Sequence, residues 1–375
     1  MAHKFSRLVL VHLFIVLMHL EPFVVSEEPQ VPCYFIFGDS LVDSGNNNQL
    51  VTASKVNYPP YGIDFSEKAS GRFTNGRTSA DLIGLETVGV VSMIISVSTS
   101  HSMITGEHLG FDEYIPSYAV ATDEQINKGV NYASGSSGIR DETGSHLGER
   151  ISLNMQLLHH DSIVSRLSNL QHDTTFTNKC IYLVNIGSND YINNYFFSDY
   201  YNTSRIYDPT QYAVILIEQY SEQLMTLYNL GARKIVVFGL ARIGCIPAEI
   251  GRFGTHGKLC VDPLNEAAKI FNNKLKSLVD ELNNIYSDGR FTFINVTSIS
   301  APQGDIPFPN EPCCQVREDW QCTPNTDPCR FRDLSLFFDG FHPTEISNIL
   351  LAARSYTRLF TTDASPWDIK HLSQL

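Results

Sequence analysis

The chain has 375 residues and a net charge of −13. That length suits one large α/β domain, and no Pro/Ser-rich linker, repeat or block of like charge divides it. The acidic balance, with no basic stripe anywhere, excludes nucleic acid and anionic membrane surfaces as natural partners.

Lys4 and Arg7 open the chain as a short basic region, followed by an apolar run from Leu8 to Leu20 and by Val24 and Ser26 just before Glu27. This reads as a signal peptide over 1–26, since the run is too short to span a bilayer and no second apolar span follows. The expectation is a secreted, extracellular protein with a single domain over 27–375 and no stable membrane insertion.

From there, short apolar runs alternate with helical patterns. Tyr34–Phe37, Cys180–Ile186, Lys234–Leu240 and Phe291–Val296 are apolar almost throughout, as strands buried on both faces are, and Val130–Ala133 is a weaker candidate. Helices are predicted from Asp208 and Pro209 to a stop at Gly231, with Val214, Ile217, Leu224 and Leu227 facing inward. Another starts at Asp262 as N-cap with Pro263 behind it, striped by Leu264, Ala268, Phe271, Leu275, Leu278 and Leu282. A last one follows Pro343, with Ile346, Ile349, Leu350 and Ala353 inward. This alternation implies right-handed crossovers and a parallel sheet between helical layers, with function at the carboxyl ends of the strands.

Three polar clusters fall at such ends. Gly38-Asp39-Ser40-Leu41 follows the first strand; a serine there can project its hydroxyl above the sheet, and a helix starting at that point would add favourable N–H groups. Gly187-Ser188-Asn189-Asp190 follows the second, and its Asn189 amide can donate to an oxyanion. Asp339-Gly340-Phe341-His342-Pro343 lies near the C-terminus; Gly340 allows a tight turn that brings Asp339 onto His342, as a base and its orienting acceptor require. Alone, each cluster is also ordinary turn or cap chemistry.

Together, FIFGDSLVDSGNNN at 35–48, GRFTNGRTSADLI at 71–83, GVNYASGSSGI at 129–139, NIGSNDYINNY at 185–195 and FFDGFHPT at 337–344 resemble the GDSL esterase/lipase family of the SGNH hydrolase superfamily, in particular its large plant secreted branch. The resemblance implies a flavodoxin-like three-layer α/β/α sandwich with a parallel sheet. It also implies hydrolysis of carboxylic esters through an acyl-enzyme, without metal or cofactor. It matches Ser40 to the nucleophile, His342 to the general base and Asp339 to its orienting partner. The oxyanion donors it implies are the backbone N–H groups of Ser40 and Gly135 and the side chain of Asn189. The implied substrate is a small-molecule, lipid or acylated-polysaccharide ester, which loop shape rather than fold would select. The competing reading is a secreted carbohydrate- or lipid-binding protein of the same fold with little or no turnover. A nucleotide-binding role lacks any Gly-rich phosphate-cradling run.

Two departures stand out. Gly135-Ser136-Ser137-Gly138 replaces the run of smaller residues common in relatives; it keeps Gly135, and the expectation is an intact oxyanion hole with the larger Ser136 crowding it. Residues Leu85–Gly106 interrupt a segment that reads naturally from Gly84 to Glu107, as an insertion or a retained non-coding segment would.

All eight cysteines lie beyond residue 26, where an oxidising compartment allows pairing. Cys313, Cys314, Cys322 and Cys329 suggest a stapled irregular loop, Cys245 and Cys260 can close a Gly-rich loop, and Cys33 and Cys180 read as buried thiols. Asn202 and Asn295 begin glycosylation sequons.

Overall fold

The computed structural model describes residues 28–85, 94–95, 102–103, 108–171, 173, 175–300 and 310–375. The signal-peptide reading of 1–26 lies outside them, as does nearly all of 85–106. Among the described residues, Ile94–Ile95 pairs with Ser102–Met103, antiparallel and outside the main sheet. Leu109 and Phe111 donate backbone N–H groups to Ile83 and Gly84, so the chain re-enters beside the point where it left.

The main sheet has five strands: β1 (Tyr34–Gly38), β2 (Ile181–Asn185), β3 (Lys234–Phe238), β4 (Arg290–Ile294) and β5 (Ala364–Ser365). The first four are parallel and in chain order, and β5 closes the far edge antiparallel. The weak candidate at 130–133 runs along the free edge of β1, exchanging backbone bonds with Ile36 on both sides (Ile36 N to Val130 O, 3.0 Å; Tyr132 N to Ile36 O, 2.7 Å). Counted as the second strand in the chain, it gives the order 2-1-3-4-5 of flavodoxin-like sheets. The switch point then lies at β1, where ligands of such sheets bind.

The strands read as continuous apolar runs because both of their faces are covered. Phe35, Phe37, Tyr182, Val184, Ile235 and Val237 pack into one buried cluster with the inner faces of α2 (Leu153–Gln171), α3 (Pro209–Asn229), α4 (Pro247–Phe253) and α5 (Asp262–Ile285). The alternate residues Tyr34, Ile36, Ile181, Leu183, Val236 and Phe238 pack against α1 (Ser79–Gly84), α6 (Glu345–Tyr356) and α7 (Ile369–Gln374). This is the three-layer α/β/α sandwich expected.

Asp208 caps α3 through a reciprocal capping box with Gln211, and Pro209 opens the helix. Three helix details differ from expectation. Val214 is exposed on α3 while Tyr212, Leu216 and Tyr220 are buried, because the helix is rotated toward its aromatic side. On α5, Asp262 is the first helical residue rather than its cap, and its carboxylate pairs with Lys258 instead. On α6, the predicted stripe is only half-buried; the buried positions are Asn348, Ala352, Arg354, Ser355 and Tyr356. Polar groups are tolerated there because Arg354 forms a buried ion pair with Asp363 and Asn348 donates to the Arg77 carbonyl at 2.9 Å.

Cys33 and Cys180 are not thiols: they form a disulfide, as do Cys245–Cys260, Cys313–Cys329 and Cys314–Cys322. Cys33 and Cys180 each precede the first register pair of β1 and β2, Tyr34 with Ile181, so the parallel pairing itself sets them side by side. The other three bridges staple irregular loops.

Candidate active site

All three polar clusters meet above the carboxyl end of β1. Ser40 sits on a turn rather than at a helix start: Asp39 O accepts from the N–H groups of both Val42 and Asp43, and the next helical turn begins only at Asn46. Gly38 must be glycine here, since a Cβ would stand 2.4 Å from the Asn185 carbonyl of the neighbouring strand.

Asp43 and the three asparagines that follow fix this turn. Asp43 Oδ1 accepts from Gly45 N and Asn46 N at 2.7 and 2.8 Å, and Oδ2 accepts from Gly135 N at 3.0 Å. Asn46 donates to the carbonyls of Asn131 and Ala133, Asn47 to those of Ser54 and Gly135, and Asn48 to that of Ser70. Asn46 thus ties the Ser40 loop to the edge of the sheet, while Asn47 and Asn48 tie it to the neighbouring loops, side-chain amides serving where no backbone partner is at hand.

The Asp339 loop is built differently. Phe338 N donates to His342 O at 2.8 Å, closing the loop. Asp339 Oδ1 accepts from Phe341 N and His342 N, both at 2.8 Å, which turns the His342 ring back onto the same carboxylate. Gly340 is required for close approach rather than for an unusual φ, because a Cβ would lie 2.5 Å from Cβ of Trp320. The segment GRFTNGR, whose role the sequence does not state, supports this loop. Thr74 Oγ1 donates to Pro343 O at 2.9 Å, Phe73 packs on the His342 ring with centroids 4.8 Å apart, and Arg72 forms a buried bidentate pair with Asp81.

Between the two loops runs a continuous hydrogen-bonded chain. Ser40 Oγ lies 2.8 Å from His342 Nε2, and His342 Nδ1 lies 2.9 and 2.8 Å from Asp339 Oδ1 and Oδ2. Sequence reasoning missed a further member: the Tyr61 hydroxyl donates to Asp339 Oδ2 at 2.6 Å. Burial pushes the Asp339 carboxyl up, but the His342 ring, the Tyr61 hydroxyl and the Phe341 N–H outweigh it and hold its pKa below the usual carboxylate range. A serine hydroxyl, a ring nitrogen and an ionised carboxylate in this order can transfer a proton from oxygen to ring as the oxygen attacks an acyl carbon.

Gly135 is bonded to the Ser40 loop through Asp43, and Asn189 is bonded to the loop that carries Gly135. Asn189 lies in a short helical turn after β2; one amide hydrogen goes to Ser137 O at 3.0 Å, and its Oδ1 accepts from Asn193 at 2.7 Å, which leaves the second amide hydrogen available. Ser137 Oγ donates in turn to Gly38 O at 2.9 Å, tying this loop to the end of β1. Gly135 does not offer a free donor, because its N–H is taken by Asp43. The N–H groups of Ser40 and Ser136 form no hydrogen bond among the described residues, and Ser136 holds a left-handed φ of 63°. Of the two sequon asparagines, Asn202 is exposed, whereas Asn295 is half-buried and accepts from Ser298 N at 3.2 Å.

Among the described residues no three His, Cys, Asp or Glu side chains converge as metal ligands, and no helix is long and apolar enough to cross a membrane. The four disulfides are consistent with secretion.

Residues 34–354 match the family model for GDSL-like lipase/acylhydrolases. Similar proteins include three GDSL esterase/lipases of Arabidopsis thaliana. One is 44% identical over 361 residues, covering 93% of each chain. A second is 43% identical over 381 residues, covering 98% of each, and a third is 43% identical over 361 residues, covering 93% of this chain and 94% of its own. The chain belongs to the GDSL esterase/lipase family of SGNH-type hydrolases and is a carboxylic ester hydrolase.

Proposed function

We propose that the protein is a secreted serine esterase in which Ser40 is the nucleophile, His342 the general base and Asp339 the residue that orients the ring. The observation that carries this reading is the unbroken chain of hydrogen bonds from Ser40 Oγ through His342 to Asp339, at 2.8 Å and 2.8–2.9 Å. His342 Nε2 takes the Ser40 proton as the oxygen attacks the ester carbonyl, and Asp339 stabilises the imidazolium that forms. The leaving alcohol receives that proton, and water, activated by the same ring, releases the acyl group from Ser40.

The tetrahedral oxyanion is held by the Ser40 N–H, the free amide hydrogen of Asn189 and the N–H of Ser136. The resemblance points to the Gly135 N–H as the third donor, but that N–H donates to Asp43 Oδ2 at 3.0 Å, so this reading assigns the role to the adjacent N–H of Ser136. Each such donor contributes roughly 3 kcal/mol to the transition state. Secretion is supported by the signal-like sequence of 1–26 and by the four disulfides, which form and persist mainly in oxidising compartments. Asn202, exposed at the start of its sequon, is the better glycan acceptor of the two.

The test is hydrolysis of a chain-length series of nitrophenyl esters by wild type and Ser40→Ala at matched folding. Loss of turnover across the whole series is the expected result, and the wild-type preference along it names the acyl group. Equal rates in the two proteins would overturn the assignment of Ser40.

A further inference from the structure

We infer that Tyr61 is a positioning residue for the Asp339–His342 pair, and that it couples this pair to the disulfide-closed loop around Cys322. The inference rests on reading Ser40, His342 and Asp339 as a working triad. Tyr61 is 278 positions from Asp339, and its side chain is only 1% exposed. Its hydroxyl is used twice: it donates to Asp339 Oδ2 at 2.6 Å and accepts from Cys322 N at 3.1 Å.

The ring is held by contacts besides the carboxylate it serves. Phe338 meets it edge-on at 5.5 Å and Tyr58 at 5.4 Å, within a small buried cluster that also contains Val56, Phe73 and Cys314. Cys322 is bridged to Cys314, whose N–H donates to Phe338 O, one residue before Asp339. The phenol oxygen is therefore a fixed point against which the carboxylate is set. Burial, and then the Asp339 charge, push the Tyr61 pKa well above its ordinary value, so the phenol stays a donor across the working pH range.

The chemistry follows from how the donors divide. Among the described residues, Asp339 Oδ1 receives two N–H groups from its own loop besides the His342 ring, whereas Oδ2 receives the ring and Tyr61. With both oxygens almost equally far from Nδ1, the phenol stops the carboxylate from rotating and spreads the charge on Oδ2. Without that hydroxyl, Oδ2 is a buried oxygen with one partner. The carboxylate becomes more basic and holds the ring proton more tightly. A phenylalanine ring would fill the same space, so the hydroxyl can be tested without emptying the cluster.

The test compares Tyr61→Phe with wild type in the full chain, using nitrophenyl ester hydrolysis across pH, thermal unfolding, and titration of active sites with a fluorophosphonate. Tyr58→Phe is the control, because the Tyr58 hydroxyl bonds Gln321 Oε1 and Cys322 O in the same loop but not Asp339. The expected result for Tyr61→Phe is a loss of roughly 10- to 100-fold in kcat per titrated site, the range for a hydrogen bond to a buried charge. KM should stay within about twofold, since the phenol does not touch substrate. The acid limb of kcat/KM should move to higher pH, and Tyr58→Phe should do none of this. Placing 4-aminophenylalanine at position 61, which restores a donor on the same ring, should recover most of the rate, also where Tyr61→Phe folds poorly. Wild-type kcat and pH profile in Tyr61→Phe, a rate loss matched only by fewer titratable sites, or no recovery with the amino variant would each overturn the proposal. Full activity in Ser40→Ala would instead overturn the triad reading beneath it.

Discussion

Asp39 and Asp339 flank the Ser40–His342 contact from opposite loops, both sealed from solvent, and their surroundings drive them in opposite directions. Asp39 Oδ1 accepts only the Leu41 N–H, and Oδ2 finds no partner among the described residues. Burial therefore dominates and pushes its carboxyl up to about 7, with the His342 ring pulling weakly the other way and Asp190 adding to the rise. Asp339 is equally buried yet held below the usual range, because four donors face it. The fate of a buried carboxylate is thus decided by the donors its loop folds onto it. The loop so equipped is the one to which the proposed mechanism assigns charge during the reaction.

The sharpest way to break this comparison is Asp339→Asn. The amide keeps the shape but reverses the hydrogen-bonding sense toward Nδ1, favouring the wrong ring tautomer, so kcat should fall by roughly 10⁴-fold. Single-turnover hydrolysis measures it, and a loss of less than about tenfold would show that the donor set around Asp339 is merely structural. Next in size is Asn189→Ala on the opposite side of the site. It should cost roughly 10²- to 10³-fold in kcat with little change in KM, read from the full rate–concentration curve. A change confined to KM would move Asn189 from the oxyanion to ground-state binding.

The smallest effect probes Asp39 itself. Its folded-state pKa is raised, so the stability it contributes is present below its unfolded value of 3.8 and is lost as pH rises through about 7. Asp39→Asn resembles the protonated form and escapes this loss, so its stability relative to wild type should rise between pH ~5 and pH ~8, by an amount on the order of a few kcal/mol. Urea midpoints of both proteins at the two pH values decide it; a difference that stays flat or reverses sign would mean Asp39 is better solvated than its burial implies.

How much of this was legible in the sequence depended on whether the cause was local. The four long strands were readable because cover on both faces leaves no polar alternation, and α5 was readable because its stripe runs from Leu264 to Leu282, about five turns. Two-residue β5 carries too little pattern to detect. The stripe on α6 failed because its buried face is polar, held by Arg354–Asp363 and by Asn348. Ser40, Asp339 and His342 could be named because each lies in a motif at a strand end or in a short loop. The Cys33–Cys180 bridge was missed because its geometry comes from strand register across 147 positions. Tyr61 was missed for a similar reason: it shows no periodicity, and its partner lies at the other end of the chain. Its only trace is an aromatic residue beside Pro59 and Pro60, a pair that stiffens the backbone without indicating what the ring touches.

The most direct measurement of the central claim is covalent labelling with a fluorophosphonate, in which a serine oxygen displaces fluoride from phosphorus, followed by peptide mass analysis. A single adduct on Ser40, formed in step with loss of ester hydrolysis and absent in His342→Ala, is the expected result. An adduct on another residue, or complete inactivation that leaves Ser40 unmodified, would contradict the assignment of Ser40 as the nucleophile.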